Sequence, residues 1–240
     1  MHRLPASTDE IQHEHPRLSA EALRHAKALR LRQGEEIELF DGQGHTRLCS
    51  WIDGTLRAVG EAKTFPPPAA LISLFACVTK GSRWDWTIEK SVELGVNRIV
   101  PVISDRAIVR IPKQERAAKA ERWRRIAEDA ARQSDAVWMP EITEAVDFPE
   151  ALSMARVAGP VFAGALVSPP PPPILDALMA SPPSGDCAVF IGPEGDFTPA
   201  ELAALLEFAV PVSLGPTILR AETAAIFAVS VLAAHRESRK

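Results

Sequence analysis

Two patterns of hydrophobic and polar positions divide the chain into two regions. Residues 35–60 form short runs in which apolar and polar side chains alternate, as in 36–40 and 45–53. These runs are separated at 41–44 and 53–54 by Asp-Gly sequences, which favour tight hairpin turns. The first region therefore predicts a small β-rich domain.

The second region carries continuous apolar runs with helical segments between them. Strands that are buried on both faces have no polar side, so such runs are typical of a parallel sheet covered by helices. We predict an α/β domain with a mostly parallel sheet. Its predicted strands are the runs 71–78, 98–102, 160–167, 187–191 and 210–214.

Helical spacing of apolar residues predicts the elements between these strands. The segment 86–94 ends at Gly95, a residue type that commonly follows a helix. The segment 113–134 places Trp123 among alanines on one face, so this ring is expected in the core rather than stacked on a base. The last helix, 221–235, is apolar nearly all round and must be buried, often in a subunit interface.

Proline-rich segments interrupt the predicted helices and strands. Residues 64–68 read as a stiff linker, and we place the domain boundary there, between 1–67 and 68–240. The first proline segment, 168–173, and the second, 181–185, are interpreted as surface insertions. A proline-rich ligand for a partner protein is the lesser alternative.

Two glycine-bearing segments near the C-terminus are the main candidates for chemistry. The first glycine loop, 191–197, reads Ile-Gly-Pro-Glu-Gly-Asp-Phe, and the second, 214–223, reads Leu-Gly-Pro-Thr-Ile-Leu-Arg-Ala-Glu-Thr. Each follows an apolar run and precedes a helical one. At such a turn, backbone amides are free to bind a ligand and glycine lets it approach closely. The pair predicts one small-molecule pocket built mainly from main chain.

A capping box marks the end of the first glycine loop. In Thr198-Pro-Ala-Glu201, the Thr and Glu have the capping spacing and proline takes the first helical position. A helix is therefore predicted from about Thr198. A well-capped connection without a ligand is the alternative for a single glycine turn, and the companion loop favours the pocket.

Composition and charge narrow the class of protein. The chain has three cysteines and no CxxC pair, which indicates neither a disulfide framework nor a zinc site. Without a signal-peptide core or a membrane span, a reducing cytoplasm is expected. The net charge is −4, yet residues 98–132 hold ten Arg or Lys against five Asp or Glu. Such a basic block can bind phosphates or can be a solvated helix face.

Several spaced motifs together resemble the ribosomal RNA small subunit methyltransferase E family. They are KGSRWDWTIEKSVELGV at 80–96, Arg106, Gln133-Ser134, GPEG at 192–195 and LGxxILRxETA at 214–224. Residues 25–44 resemble the PUA-like RNA-binding barrel of this family. The resemblance implies an enzyme that uses S-adenosylmethionine to methylate N3 of a uridine in 16S rRNA of the small ribosomal subunit.

The resemblance also implies the architecture and the cofactor site. The expected fold is a SPOUT-type α/β domain with a mostly parallel sheet and a C-terminal trefoil knot, preceded by a PUA-like β-barrel in 1–67. A homodimer is expected. The cofactor would lie in the knotted loops, with contacts from Leu166, Ile191, Gly192, Pro193, Glu194, Gly195, Leu214, Gly215, Ile218 and Leu219.

Two charged residues directly after the expected cofactor contacts are candidates for catalysis. We hypothesise that Arg220 stabilises negative charge on the uracil or holds its phosphate. Glu222 could accept the N3 proton or orient a group that contacts the base. The alternative for both is structural, because a carboxylate in the first turn of a helix favours the dipole and can pair with a neighbouring Arg.

RNA contacts are expected from basic residues of both regions. N3 lies on the pairing edge of uracil, so the RNA must present an unpaired base. The candidates for backbone contacts are Arg24, Lys27, Arg30, Arg83, Arg106, Arg110 and Lys113.

The chain departs from the family pattern at three places. Asp135-Ala136 stands where Gly-Arg is usual, Asp196 where a second glycine is usual, and Pro216 where an Arg is usual. Two other classes of protein remain open. One is a non-catalytic RNA-binding relative, and the other is an unrelated α/β enzyme whose glycine loops hold a nucleotide phosphate. Against the second, the first glycine loop lacks the Walker lysine and the GxGxxG spacing.

Overall fold

The computed structural model describes residues 1–239, which form two compact units. Unit 1 comprises Met1–Pro68 together with Glu128–Met139, and unit 2 comprises Ala69–Ala127 and the chain from Pro140 onward. This division differs from the boundary expected at 67/68 in one respect. A segment from the middle of the chain packs with the N-terminal region, which no composition shift in the sequence indicates.

Unit 1 is built on a five-stranded sheet with strand order β1-β2-β3-β4, in which β5 also pairs with β3. β1 runs parallel to β2 and the other pairs are antiparallel, so the predicted hairpins at 41–44 and 53–54 are confirmed. The elements are β1 His2–Pro5, α1 Thr8–Gln12, α2 Ala20–Ala28, β2 Glu36–Phe40, β3 His45–Ile52, β4 Thr55–Ala58 and β5 Lys63–Thr64.

The core of unit 1 follows from the alternation of its strands. Buried and less buried residues alternate along residues 37–39 of β2 and along β4, as period-two spacing requires, whereas Arg3 and Leu4 of β1 are both buried. Helices α1 and α2 contribute Ile11 and Ala26 to the same cluster. The inward residues of the strands are Leu4, Ile37, Leu39, Cys49 and Leu56.

Unit 2 contains a seven-stranded sheet in which every strand pair is parallel, so the predicted α/β fold is confirmed. The order is β12-β10-β11-β6-β7-β8, and β9 also pairs with β7. The trefoil knot stays a prediction, since strand order alone does not define threading. The strands are β6 Ile72–Cys77, β7 Arg98–Ile103, β8 Glu141–Ile142, β9 Val146–Asp147, β10 Val161–Gly164, β11 Cys187–Ile191 and β12 Val210–Val212.

Five helices of the described chain connect these strands, and a sixth, α8, follows β12. Gly95 follows the first of them with φ +80°, a conformation that favours glycine. Trp123 is 2% exposed and its ring meets Trp84 edge-on at 5.7 Å, which confirms its place in the core. The helices are α3 Ser82–Glu93, α4 Lys113–Gln133, α5 Phe148–Ala155, α6 Ile174–Ala180, α7 Pro199–Leu206 and α8 Ala221–Glu237.

The C-terminal helix α8 covers the centre of the sheet. It packs against β6, β11 and α3 and buries a row of small residues that includes Ala224, Ala225 and Ala228. Burial within unit 2 thus accounts for one face of this helix, while Phe227 on another face is 40% exposed. Among residues 1–239, none of the helices combines the length and apolar character needed to cross a bilayer.

Candidate functional site

A cavity of about 630 Å³ lies where β10, β11 and β12 end. Parallel strands end at one edge of a sheet, so the three loops that follow them converge there. The volume falls within the range of roughly 300–1,000 Å³ typical of small-molecule sites. The lining comes from residues 164–168, 170–171, 191–194, 196, 212–221 and 224.

Nine of the ten expected cofactor contacts line this cavity. Both glycine loops contribute, as their position at strand-to-helix turns predicts. Leu166 and Ile218 are 64% and 80% exposed, so apolar side chains border open space there. The tenth residue, Gly195, is not part of the lining; a Cβ at this position would lie 3.6 Å from Cβ of Arg106.

The first glycine loop is shaped by tight contacts around Gly192. A Cβ at Gly192 would lie 3.1 Å from the Phe197 ring and 3.3 Å from Oδ1 of Asp196, so a larger side chain would have to displace them. Asp196 adopts φ +57°, its amide donates to the Pro193 carbonyl at 2.9 Å, and its Oδ1 accepts from the Phe197 amide at 2.8 Å. Hydrogen bonds within the loop, from backbone and side chain, therefore help to hold its conformation.

The predicted capping box is confirmed at the start of α7. Oγ1 of Thr198 accepts from the Glu201 amide at 3.2 Å, and Oε2 of Glu201 accepts from the Thr198 amide at 2.9 Å. The second carboxylate oxygen, Oε1, accepts from the Asp105 amide at 2.8 Å. One buried carboxylate thus fixes the start of α7 and joins it to the loop after β7.

Two arginines that were expected to contact RNA donate hydrogen bonds to backbone carbonyls of these loops. Nη1 of Arg106 donates to the carbonyls of Gly195 and Phe197, both at 3.2 Å. Arg110 donates to the Ser104 carbonyl at 2.8 Å and to the Asp105 carbonyl. No sequence signal distinguishes an Arg that holds a backbone from one that holds a phosphate. Their roles as RNA contacts stay predictions.

The second glycine loop is connected to the first proline segment through Ser213. The Ser213 amide donates to the Pro172 carbonyl at 2.8 Å, and the Ser213 carbonyl accepts from the Ile174 amide at 3.0 Å. Oγ of Ser213 donates to the Gly215 carbonyl at 3.1 Å. The first proline segment is exposed, as expected of an insertion, but the structure also places its Ser168, Pro170 and Pro171 in the cavity wall.

The two catalytic candidates occupy different positions. Arg220 lines the cavity and is exposed, and its side chain makes no capping hydrogen bond to α8. Glu222 is 6% exposed and does not belong to the lining. Its Oε1 lies 3.7 Å from Nε of Arg83, whose Nη1 lies 3.9 Å from Oε1 of Glu194. Arg83 therefore stands between a carboxylate of the first glycine loop and one of α8.

Few charged residues line the cavity. Its lining includes two acidic residues, Glu194 and Asp196, and one basic residue, Arg220. The remaining lining is mostly apolar or glycine. Nearby, burial raises the pKa of the Cys77 thiol to about 12, so this sulfur stays neutral and is not a nucleophile.

The other RNA candidates lie on the surface. Arg24 and Lys27 are exposed on α2, Arg30 follows that helix with φ +53°, and Lys113 is exposed at the start of α4. Part of the basic block 98–132 is paired with acidic side chains of unit 2. The pairs include Arg98 with Glu141, Arg116 with Asp147 and Arg122 with Asp85.

Two family models match the chain: residues 66–233 match the RNA methyltransferase domain, and residues 18–51 match the RNA methyltransferase PUA domain. The fold, the cavity and these matches define an RNA methyltransferase. The chain is 33% identical over 221 residues to the ribosomal RNA small subunit methyltransferase E of Synechocystis sp., covering 88% of this chain and 70% of that protein. It belongs to the ribosomal RNA small subunit methyltransferase E family, which confirms the resemblance.

Two solved structures share the whole fold. A methyltransferase from Legionella pneumophila in complex with the cofactor SAM is 30% identical, with a TM-score of 0.84 over 97% of this chain and 96% of that chain. A ribosomal RNA small subunit methyltransferase E from Neisseria gonorrhoeae bound to S-adenosyl methionine is 29% identical, with a TM-score of 0.80 over 96% and 97%.

Proposed function

We propose that this chain is an enzyme that transfers the methyl group of S-adenosylmethionine to N3 of a uridine in 16S rRNA of the small ribosomal subunit. The observation that carries the proposal is the cavity at the ends of β10, β11 and β12, which nine of the ten expected cofactor contacts line. Two solved relatives over nearly the full chain contain this cofactor.

The residues at the cavity fit the proposed cofactor. When bound, S-adenosylmethionine supplies a methyl group that is already activated on a positively charged sulfonium. The carboxylates of Glu194 and Asp196 outnumber the single guanidinium of Arg220 in the cavity lining. Leu214, Ile218 and Leu219 offer apolar surface for an adenine ring.

The catalytic task left to the protein is to align the base and to stabilise charge on it. A uracil that loses the N3 proton becomes negative, and a guanidinium at the cavity favours that form. We propose this role for Arg220, because it lies in the cavity lining and its side chain is exposed.

Glu222 suits the second of its two hypothesised roles. Direct proton transfer requires hydrogen-bond reach to the base. Because Glu222 is buried outside the lining, beside Arg83, we propose that it orients Arg83 and through it Glu194. Oε2 of Glu222 is buried and has no hydrogen-bond partner within residues 1–239, which leaves one acceptor for a tighter contact with Arg83.

RNA binding is proposed on the exposed basic residues, with an unpaired uridine directed to the cavity. Arg24, Lys27 and Arg30 in unit 1 and Lys113 in unit 2 are the proposed phosphate contacts. The match of residues 18–51 to a PUA domain of RNA methyltransferases supports the contribution of unit 1.

We also propose that the protein is a cytoplasmic homodimer. Large apolar side chains remain exposed on three neighbouring helices, α3, α6 and α8, among them Trp86, Met179 and Phe227. Exposed apolar surface of this kind marks interaction sites. Sedimentation velocity of the purified protein tests the proposal, since a monomer at micromolar concentration contradicts it.

Methylation of small subunits from a strain that lacks this modification tests the function. Mass spectrometry of the digested 16S rRNA is expected to find 3-methyluridine with the wild-type protein.

Arg220→Ala is expected to lose most activity while keeping its affinity for S-adenosylmethionine. The matched control is Arg156→Ala, which alters an exposed ion pair with Glu207. Methylation at another base atom would overturn the N3 assignment. Calorimetry without cofactor binding would favour a non-catalytic RNA-binding relative.

A further inference from the structure

The first proline segment forms one side of the cavity, although its composition suggests only a surface insertion. Residues 169–173 are five consecutive prolines. Ser168, Pro170 and Pro171 line the cavity next to residues of the second glycine loop. The segment is therefore part of the wall that a ligand in this cavity would meet.

Hydrogen bonds on both sides of one residue fix this wall in place. Ser213, at the end of β12, donates its amide to the Pro172 carbonyl at 2.8 Å and accepts from the Ile174 amide at 3.0 Å. After the segment, α6 continues with Ile174 and Leu178 buried. The five prolines have no backbone N–H groups. The segment is therefore anchored through the Pro172 carbonyl and through α6.

The same serine connects the wall to the second glycine loop. Oγ of Ser213 donates to the Gly215 carbonyl at 3.1 Å and accepts from the Gly215 amide at 3.3 Å. Gly215 adopts φ +132°, a backbone conformation that other residues rarely take. Ser213 therefore links a rigid segment to the most permissive point of the loop that carries Leu214, Ile218 and Leu219.

The proline rings give this wall of the cavity two properties. Each ring fixes φ near −65°, so the segment loses little conformational entropy when a ligand binds. A proline also has no backbone N–H, so the wall offers carbonyl acceptors and apolar rings but no backbone donors at Pro170 and Pro171. It suits an apolar surface or a group that carries its own donors, and it disfavours a carboxylate or phosphate.

We propose that the first proline segment is a preorganised wall of the cofactor cavity, which holds the second glycine loop through Ser213 in its binding conformation. The inference rests on the proposed function, because it takes S-adenosylmethionine as the ligand. Pro170 and Pro171 pack against the apolar or amine-bearing part of this cofactor. Ser213 acts as a positioning residue.

Calorimetry with S-adenosylmethionine tests the wall. Replacing two prolines by glycine raises the flexibility of the free protein, so the double variant P170G/P171G is expected to bind about tenfold more weakly. The matched control is P182G/P183G in the second proline segment, which does not line the cavity and is expected to stay within about twofold of wild type. Ser213→Ala, which keeps the backbone bonds, is expected to weaken binding less.

Hydrogen exchange of the unliganded protein provides a second readout. P170G/P171G is expected to speed exchange of the amides in 214–223 while leaving those of β6 and β7 unchanged. Unchanged affinity and unchanged exchange in 214–223 would overturn the inference. If P170G/P171G does not fold, P170A carries the same test, with a smaller expected effect. Wild-type protein that fails to bind S-adenosylmethionine contradicts the proposed function instead, so the two failures are distinguishable.

Discussion

Two aspartates that replace the glycines expected from the family resemblance adopt left-handed backbone conformations. Asp135 and Asp196 stand where glycine is usual, and both adopt positive φ, +56° and +57°. Asp is among the few side chains that tolerate the left-handed region. The sequence shows the departure, but only the backbone angles show why Asp is an acceptable replacement there.

Substitutions at Asp196 test this interpretation. Asp196→Gly also loses the bond that Oδ1 accepts from the Phe197 amide, but glycine adopts φ +57° without strain, so this variant is expected to be less destabilised than the Ala variant. Asp196→Ala is expected to destabilise the protein by about 1 kcal/mol, since it adds strain and loses the bond from Oδ1 to the Phe197 amide. Thermal unfolding measures both. Equal melting temperatures for the Gly and Ala variants would contradict the conformational argument.

Substitutions of Arg106 distinguish two roles of its side chain, which are to hold the first glycine loop and to contact RNA. Arg106→Ala removes two hydrogen bonds to the first glycine loop and is expected to weaken S-adenosylmethionine binding about tenfold. Arg106→Lys should recover only part of the loss, because an ammonium cannot reproduce the planar guanidinium. Calorimetry measures the affinities, with Lys119→Ala as a control that removes a charge from the same basic block.

The opposite outcome for Arg106 would restore its sequence-based assignment. If Arg106→Ala lowers RNA affinity in filter binding and leaves cofactor affinity unchanged, the side chain contacts RNA and its hydrogen bonds to the loop are incidental.

At the scale of elements, the capping box of Thr198 and Glu201 stabilises the first turn of α7. Thr198→Ala removes the hydroxyl that accepts from the Glu201 amide and is expected to cost about 1 kcal/mol of the free energy of unfolding. Thr198→Ser keeps the hydroxyl and should remain close to wild type. Urea unfolding monitored by circular dichroism gives both values. A Ser variant as unstable as the Ala variant would assign the effect to packing of the Thr methyl group.

Elements with a local signal could be predicted from the sequence. Continuous apolar runs located β6, β7, β10, β11 and β12, and helical spacing located α3, α4 and α8. Each of these elements carries its own pattern of burial, so no knowledge of its neighbours is needed.

Elements defined by distant partners could not be predicted. β1, with sequence His-Arg-Leu-Pro, has neither alternation nor a β-branched residue, and it exists because it pairs with β2. β8 and β9 have two residues each and depend on β7 in the same way. The bracing of the first glycine loop by Arg106 and the link between Ser213 and Pro172 also join residues far apart in sequence. Such contacts are properties of the folded chain.

At the scale of the whole molecule, charge counted along the sequence overstates the surface available to RNA. The block 98–132 has an excess of five positive charges, yet several of its arginines pair with acids or hold backbone carbonyls. A paired arginine releases fewer counterions when RNA binds. The salt dependence of binding should therefore reflect the smaller set of exposed basic residues.

Salt dependence of RNA affinity tests this argument quantitatively. If Arg24, Lys27, Arg30 and Lys113 provide the phosphate contacts, log K is expected to fall with log salt at a slope of about −3 for an unpaired RNA segment. Removing Arg24 and Lys27 together should reduce the slope by about 1.4, while Arg122→Ala, which removes an arginine paired with Asp85, should leave it nearly unchanged. Fluorescence anisotropy with a labelled RNA between 50 and 300 mM KCl, roughly the range over which such contacts lose affinity, measures the slope. A steep slope that Arg122→Ala reduces would show instead that RNA opens the ion pairs and that the whole basic block takes part in binding.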